Sequence, residues 1–534
     1  MNITIIDCYT DEPSGFGVPP YMGVYPRYLA GFLKKKYPQA TITFLTIDDI
    51  RYFDPTYIPK KVKPGMPKDS DIFVLNRTGA HVPSVLKNTD QLYTIVGVQV
   101  PGKYLSAVPG TFKEITTLLE RYGIFRDVSG IKKHSLDICA FAGPAMSEFG
   151  TQVQGGKFAE AALKIIDKTM ENIQILCEDF FIDYSKLNEY AVLGAQIITP
   201  QFPKPCIVEM ETSRGCYRTK NCSFCTEPLS DRQSFREQMD IVSEMKTFYD
   251  LGIRHFRFGR QTCFFSYKRH NAKELEQLFE LTWKAMPDIK VLHIDNVDPV
   301  RVITPIGIEM TKLTVKYCTP GNIAPFGVET FDAQVCKKND LNSYPQTSMR
   351  AIQIINEHGK ERGENGMPKL LPGINILFGL IGESKQTHQQ NMEHFSQIVK
   401  NDWWLRRINI RQVVPYYGTK LYAEAKNKFI KKNKQYYFSW RRQIREEIDQ
   451  KLLEQVFPVG IVIKDCMAEV HKRGVTYFRQ LATYPIIIGV KGEYDLKKFY
   501  DIKITDNMLR SLKGEVVQLS EDQFEAYPKT YSER

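Results

Sequence analysis

Residues 211–228 read ETSRGCYRTKNCSFCTEP and set Cys216, Cys222 and Cys225 at the spacing C-x5-C-x2-C. Thiolates are the soft ligands that iron-sulfur clusters require, and two of them three positions apart can grip one cluster. A structural zinc site is the other reading. Such sites want four closed ligands, and no fourth Cys or His stands nearby in the sequence. Three thiolates on a [4Fe-4S] cluster leave one iron open, and an open iron can be chelated by the amine and carboxylate of a small molecule. The spacing favours the cluster over zinc.

The chain around these residues has 534 positions, enough for two to four domains. With 43% hydrophobic and 25% charged residues it has the composition of a soluble globular protein. There is no apolar run of about 18 residues and no basic, apolar leader at the N-terminus, so a cytoplasmic protein without a membrane span is expected. Eleven cysteines, an odd number scattered along the chain, argue against a disulfide framework. Eight of them stand singly (Cys8, Cys139, Cys177, Cys206, Cys263, Cys318, Cys336 and Cys466) and read as small buried hydrophobes. The net charge of +11 is concentrated: residues 418–452 hold ten Lys or Arg against four Asp or Glu. A solvated helix face accounts for such a run, although Tyr436, Tyr437, Phe438 and Trp440 interleaved with Lys434, Arg441 and Arg442 also suit an anionic partner such as RNA.

Two alternating series of strands and helices must position these groups. In residues 1–147, apolar runs at 3–7, 40–46, 71–76, 94–99 and 136–142 read as strands, with a helix at 25–36, which implies a parallel sheet of Rossmann-like type. Its strand ends carry Gly- and Pro-rich loops, where open parallel sheets bind ligands. A connecting region covers 148–205. Over 206–422 a second series, with strands at 206–212, 255–259, 291–295, 324–329, 373–378 and 408–413, predicts a (β/α)6 partial barrel with chemistry at the carboxyl ends of its strands. The cysteine loop follows the first of these strands. A basic helical segment at 423–456, a small β domain at 457–517 and a polar tail at 518–534 complete an α/β chain.

The cysteine loop, with aromatic Phe224 before the last Cys, resembles the radical S-adenosylmethionine (AdoMet) superfamily. Three later segments resemble the motifs of that family in order: FGVET at 326–330, GLIGES at 379–384 and PYYGTKLY at 415–422. The family spacing is C-x3-C-x2-C, so the first gap here is longer by two. The resemblance implies that Cys216, Cys222 and Cys225 ligate a [4Fe-4S] cluster, that Glu329 contacts the ribose or amino group of AdoMet, and that Phe224 and Gly379 lie at the cofactor. Arg411 and Gln412, at the end of the sixth strand, would meet the AdoMet carboxylate.

Residues 1–147 resemble the cobalamin-binding domain that precedes many radical AdoMet barrels. GVPPYMG at 17–23 and GVQVPG at 97–102 carry the likeness, implying Gly17, Pro20, Gly23, Gln99, Gly102 and Gly143 as cobalamin contacts, with no D-x-H-x-x-G histidine to ligate cobalt. YTDEPSGFGVPPY and RRINIRQVVP resemble a group of archaeal radical proteins, and residues 457–517 are similar to the RNA-binding TRAM domain, a generic β-barrel capping the active site being the alternative. The function this implies is a cobalamin-dependent radical C-methyltransferase acting on an unactivated carbon, fed electrons by a ferredoxin or flavodoxin, with a protein or RNA among the substrates to be expected. An RNA-modifying or methylthiotransferase-like enzyme without cobalamin, and a non-enzymatic iron-sulfur protein, are the alternatives.

Overall fold

The computed structural model describes residues 1–8, 21–54, 78–96, 110–124, 136–142, 173–175, 184–202, 205–227, 233–416 and 418–520. The chain divides into two compact units, one of residues 1–99, 104–206 and 243–253, the other of 100–103, 207–242 and 254–534.

The first unit is built on a parallel five-stranded sheet. Its strands are β1 (Asn2–Cys8), β2 (Thr41–Thr46), β3 (Gln91–Val96), β4 (Ile138–Ala142) and β5 (Ile173–Ile175), in the order β2-β1-β3-β4-β5. Every residue of β3 is buried, as in a sheet covered on both faces. The sequence places this strand three residues later, because Gln91 and Tyr93 look polar; inside the sheet the Tyr93 hydroxyl donates to Gln91 Oε1 (3.1 Å) and both are satisfied. Helix α1 (Tyr25–Lys36), with Pro26 in its first turn, packs on α2 (Tyr184–Ile198) through Val24, Tyr28, Leu187 and Ala191. The loops carrying Gly17, Pro20, Gln99, Gly102 and Gly143, and the strand expected at 71–76, lie outside the described residues.

The second unit holds six parallel strands: β6 (Ile207–Glu211), β7 (His255–Gly259), β8 (Val291–Ile294), β9 (Asn322–Glu329), β10 (Leu370–Phe378) and β11 (Arg407–Gln412). They form two sheets, with β8-β7-β6 and β9-β10-β11 as neighbours. A single parallel bridge between Val297 and Phe326 and a hydrogen bond from Ile294 N to Asn322 Oδ1 (3.0 Å) link the two. Helix α3 (Gln238–Asp250), whose residues from Ser243 on belong to the first unit, and helices α4 (Ala272–Ala285), α5 (Pro305–Tyr317), α6 (Pro345–Gly359) and α7 (Lys385–Lys400) return the chain between strands. Their starts follow side-chain chemistry: Asn271 Oδ1 accepts from the backbone N–H groups of Lys273 and Glu274, and Thr304 Oγ1 from that of Gly307, next to Pro305.

After β11 the basic segment forms helix α8 (Lys428–Ile444), a π-helical turn at Arg445–Asp449 and helix α9 (Gln450–Val456). Strands β12 (Val462–Lys472), β13 (Val475–Gln480), β14 (Ile488–Lys491), β15 (Phe499–Asn507) and β16 (Leu512–Leu519) then close a barrel in the order β12-β13-β14-β16-β15. Its interior residues, among them Ile463, Phe478, Ile488 and Ile502, share one apolar cluster with Ile323 and Leu371 near the first residues of β9 and β10. The small barrel therefore meets the amino-terminal foot of these strands and does not cap their carboxyl ends. The loop between β13 and β14 reaches further in, where Tyr484 Oη donates to Asp295 Oδ1 (2.9 Å) and Thr483 Oγ1 lies 3.2 Å from His293 Nδ1.

Candidate active site

The cysteine loop leaves β6 through a left-handed Gly215 (φ 73°), whose N–H donates to Glu227 Oε1 (3.2 Å) and whose carbonyl accepts from Thr262 Oγ1 (3.0 Å). Arg214 is ion-paired with Glu211 at the end of the strand. Cys216, Cys222 and Cys225 are free and partly exposed, whereas Cys8, Cys139, Cys206, Cys263, Cys318, Cys336 and Cys466 are buried. The lengthened first gap contains Arg218. Its Nη1 donates to Cys222 Sγ (2.9 Å) and its Nη2 to Asp340 O (2.7 Å).

Ser223 is the hub that joins the motifs. Its N–H donates to Asn339 O (2.8 Å), its hydroxyl to Asn339 Oδ1 (2.7 Å), and its carbonyl accepts from Leu421 N (2.7 Å). Asn339 Oδ1 also accepts from Ile381 N (3.0 Å), in the GLIGES turn. The cysteine loop, the turn after β10 and the segment after β11 are thus tied to one another, with Phe224 and Cys222 packed against Val335, Leu380, Val413 and Leu421. Gly379 holds φ 99°, and a Cβ there would stand 2.4 Å from Ile430 Cγ1, so glycine is the residue this turn requires.

Glu329 ends β9 in a left-handed conformation (φ 64°), just after a bulge in the pairing of β9 with β10. A non-glycine residue in that region is strained, and such strain collects at functional sites. Its Oε2 is buried without a hydrogen-bond partner, and so is Arg411 Nε. Burial pushes the Glu329 carboxyl up to about 8, against the pull of Arg411. Burial likewise raises the thiol of Cys222 to about 11, with Arg218 opposing and Glu329 reinforcing, and that of Cys225 to about 12. Cys216 moves the same way for the same reason. Each of Cys222 and Cys225 is also raised by its neighbouring cysteines.

These groups fit the proposed cofactors. Burial and the neighbouring cysteines disfavour the thiolate forms of Cys222 and Cys225, and positive charge such as iron carries would favour them. Among the described residues no three His, Cys, Asp or Glu side chains converge on a place for one metal ion. An unpartnered carboxyl and an unpartnered guanidinium within electrostatic reach of each other suit the ammonium and carboxylate of an amino acid. Gln412 is half-buried at the end of β11, and Gly23 O accepts from Arg27 Nη1 (2.6 Å) in the first unit. Arg218 and Asn339 were not singled out by the sequence; the two-residue lengthening of the first gap is the only mark that pointed near Arg218.

The strand ends bring together the cysteine loop, the GLIGES turn and the segment after β11, three of the motifs on which the sequence resembles the radical AdoMet class. The chain belongs to the archaeal family of the uncharacterised protein MJ0274 of Methanocaldococcus jannaschii, to which it is 38% identical over 96% of this chain and 93% of the relative. An uncharacterised protein of Archaeoglobus fulgidus is 36% identical over 96% of this chain and 89% of its own length. No family model matches the chain. Among solved structures it is similar to the radical AdoMet methyltransferase TsrM from Kitasatospora setae with cobalamin and [4Fe-4S] cluster bound (TM-score 0.47, 13% identity, 81% of this chain and 78% of that one). It is also similar to the cobalamin-dependent radical enzyme OxsB with aqua-cobalamin and AdoMet bound (TM-score 0.45, 11% identity, 83% and 56%). No described helix is long and apolar enough to cross a membrane.

Proposed function

We propose that the protein is a radical AdoMet enzyme, and in particular a cobalamin-dependent C-methyltransferase. The observation that supports the first part is that the loop of three partly exposed cysteines lies, at Cys222, within electrostatic reach of the unpartnered Glu329 carboxyl, which in turn lies within reach of Arg411. When bound, a [4Fe-4S] cluster supplies the electron that cleaves AdoMet to methionine and a 5′-deoxyadenosyl radical, and methylcobalamin supplies the methyl group. Cys216, Cys222 and Cys225 would hold the cluster. Arg218 faces the Cys222 sulfur and favours its thiolate form. Glu329 accepts from the AdoMet amino group, and Arg411 pairs with its carboxylate.

The cobalamin assignment rests on the first sheet. In the order β2-β1-β3-β4-β5 the chain reverses direction between β1 and β3, and open sheets bind ligands at such a switch point. In the sequence Gly17 and Pro20 follow β1, and Gln99 and Gly102 follow β3. A ferredoxin or flavodoxin is the proposed electron donor.

The test is anaerobic reconstitution with iron, sulfide and hydroxocobalamin, followed by reduction in the presence of AdoMet. Retention of about four irons per chain, conversion of AdoMet to 5′-deoxyadenosine and retained cobalamin are expected. A protein that holds the cluster but leaves AdoMet intact overturns the enzyme assignment, and one that cleaves AdoMet without retaining cobalamin overturns the methyltransferase.

A further inference from the structure

The lengthened gap between Cys216 and Cys222 brings charge to the cysteine loop. Its five residues read YRTKN and include Arg218 and Lys220. Arg218 bridges two neighbours, donating from Nη1 to Cys222 Sγ (2.9 Å) and from Nη2 to Asp340 O (2.7 Å). Lys220, with 76% of its side chain exposed, pairs with Asp340 Oδ1 (2.5 Å). Lys420, in the segment after β11, pairs with Asp340 Oδ2 (2.6 Å) and donates to Lys338 O (2.9 Å).

Asp340 therefore gathers three cations from two separate parts of the chain, and one carboxylate cannot balance them all. It follows the short helix Ala333–Lys338 in a left-handed turn (φ 53°), a conformation that Asp tolerates better than most residues. Lys337 and Lys338 end that helix, both exposed and with no carboxylate within ion-pair distance among the described residues. Lys338 also reaches the GLIGES turn, where a Cβ at Gly382 would stand 2.7 Å from its Cδ. The last turn of a helix favours cations, which accounts for Lys337 and Lys338 but not for Lys220 and Lys420 beside them. Across 218–221, 337–340 and 418–428, segments tied together through Ser223 and Asn339, seven Lys or Arg stand against two Asp or Glu.

We propose that this basic surface beside the cysteine loop, centred on Lys220, Lys337, Lys338 and Lys420, docks a small acidic electron-carrier protein. An excess of exposed positive charge steers an acidic partner to the surface and orients it there. Electron transfer falls steeply with distance, so the docking face must adjoin the cluster ligands, and Arg218 ties this surface to the Cys222 sulfur directly. One electron leaves the reduced carrier and enters the oxidised cluster; no atom or proton is transferred. A polynucleotide would gain nothing from standing beside the cysteines, whereas electron delivery requires it. The role as an electron entry rests on the function proposed above; the binding of an acidic protein does not.

The test is calorimetric titration of the reconstituted holoenzyme with an acidic ferredoxin. Saturable binding is expected at about 0.1 M salt, weakening as the salt rises to about 0.5 M. The double variant Lys337→Glu/Lys338→Glu binds about tenfold or more weakly, since two exposed charges facing an acidic partner are reversed, and it keeps the iron content of the unsubstituted protein. Lys491→Glu, on β14 of the small barrel that meets the foot of the strands, leaves the affinity unchanged. With dithionite as reductant the double variant forms 5′-deoxyadenosine at the unsubstituted rate, and with reduced ferredoxin as the sole reductant it is slowed. No saturable binding, undiminished binding in the double variant, or an equal loss in Lys491→Glu overturns the proposal. Binding of a single-stranded RNA oligomer with the same dependence on Lys337 and Lys338, without ferredoxin binding, also overturns it, in favour of a polynucleotide. Ferredoxin binding by an unsubstituted protein that dithionite cannot drive to cleave AdoMet sinks the proposed enzyme and leaves the docking surface standing.

Discussion

Two barrels in this chain are filled in opposite ways. The closed five-stranded barrel of β12–β16 is packed with hydrocarbon, with Ile463, Ile488, Ile502 and Ile504 fully buried. The six strands β6–β11 carry Glu209, Arg257, His293, Asp295, Arg407 and Arg411; Arg257 pairs with Glu209 and Asp295, while His293 Nε2 and Arg411 Nε are buried without a partner. Unpaired buried polar atoms each cost about 1–3 kcal/mol. A chain that can fill one barrel with isoleucine keeps the other charged where ligands are to satisfy it, and the contrast separates a scaffold from a site.

The largest effect that would sharpen this contrast is at the cysteine loop. Cys216→Ala, Cys222→Ala or Cys225→Ala each should abolish cluster assembly while leaving the fold intact, as read by iron content and circular dichroism. Full iron content in all three variants removes the site. In the closed barrel, Ile502→Ala should cost about 3–4 kcal/mol in urea unfolding, because a fully buried aliphatic side chain leaves a cavity, with AdoMet affinity unaltered. The open barrel should respond in reverse. Arg411→Met should be near neutral in stability, since removing a desolvated charge offsets the loss of its attraction to Glu329, yet weaken AdoMet binding about tenfold or more. If Arg411→Met instead unfolds the protein while AdoMet affinity holds, the distinction between the two barrels fails.

The smallest effect is a pH dependence at the rim of the open barrel. Burial pushes the Glu383 carboxyl up to about 7 from an ordinary 4.5, partly opposed by hydrogen bonds from Gly379 N (2.6 Å) and Asn433 Nδ2 (3.3 Å). The folded state therefore holds this proton more tightly than the unfolded state does. Its contribution to stability is present below about pH 4.5 and is lost as the pH rises to about 7, by about 1–3 kcal/mol. Glu383→Gln should flatten that slope in denaturant titrations at pH 5 and pH 8, and an unchanged slope assigns the dependence to another group.

The cysteines, the glutamate at the end of β9 and the glycine turn after β10 were legible in the sequence because each is a residue type that its chemistry or backbone demands. So were most strands of the second unit, whose apolar runs are bounded by turn residues. Element type and the identity of ligand-bearing residues are local properties, carried by side chains and their near neighbours, and these the sequence determined by itself. Tertiary structure alone decided that Ser223 and Asn339 bind the motifs together and that the small barrel meets the foot of β9 and β10. Those pairings join positions more than a hundred residues apart, and no spacing along a chain encodes which distant side chains will meet.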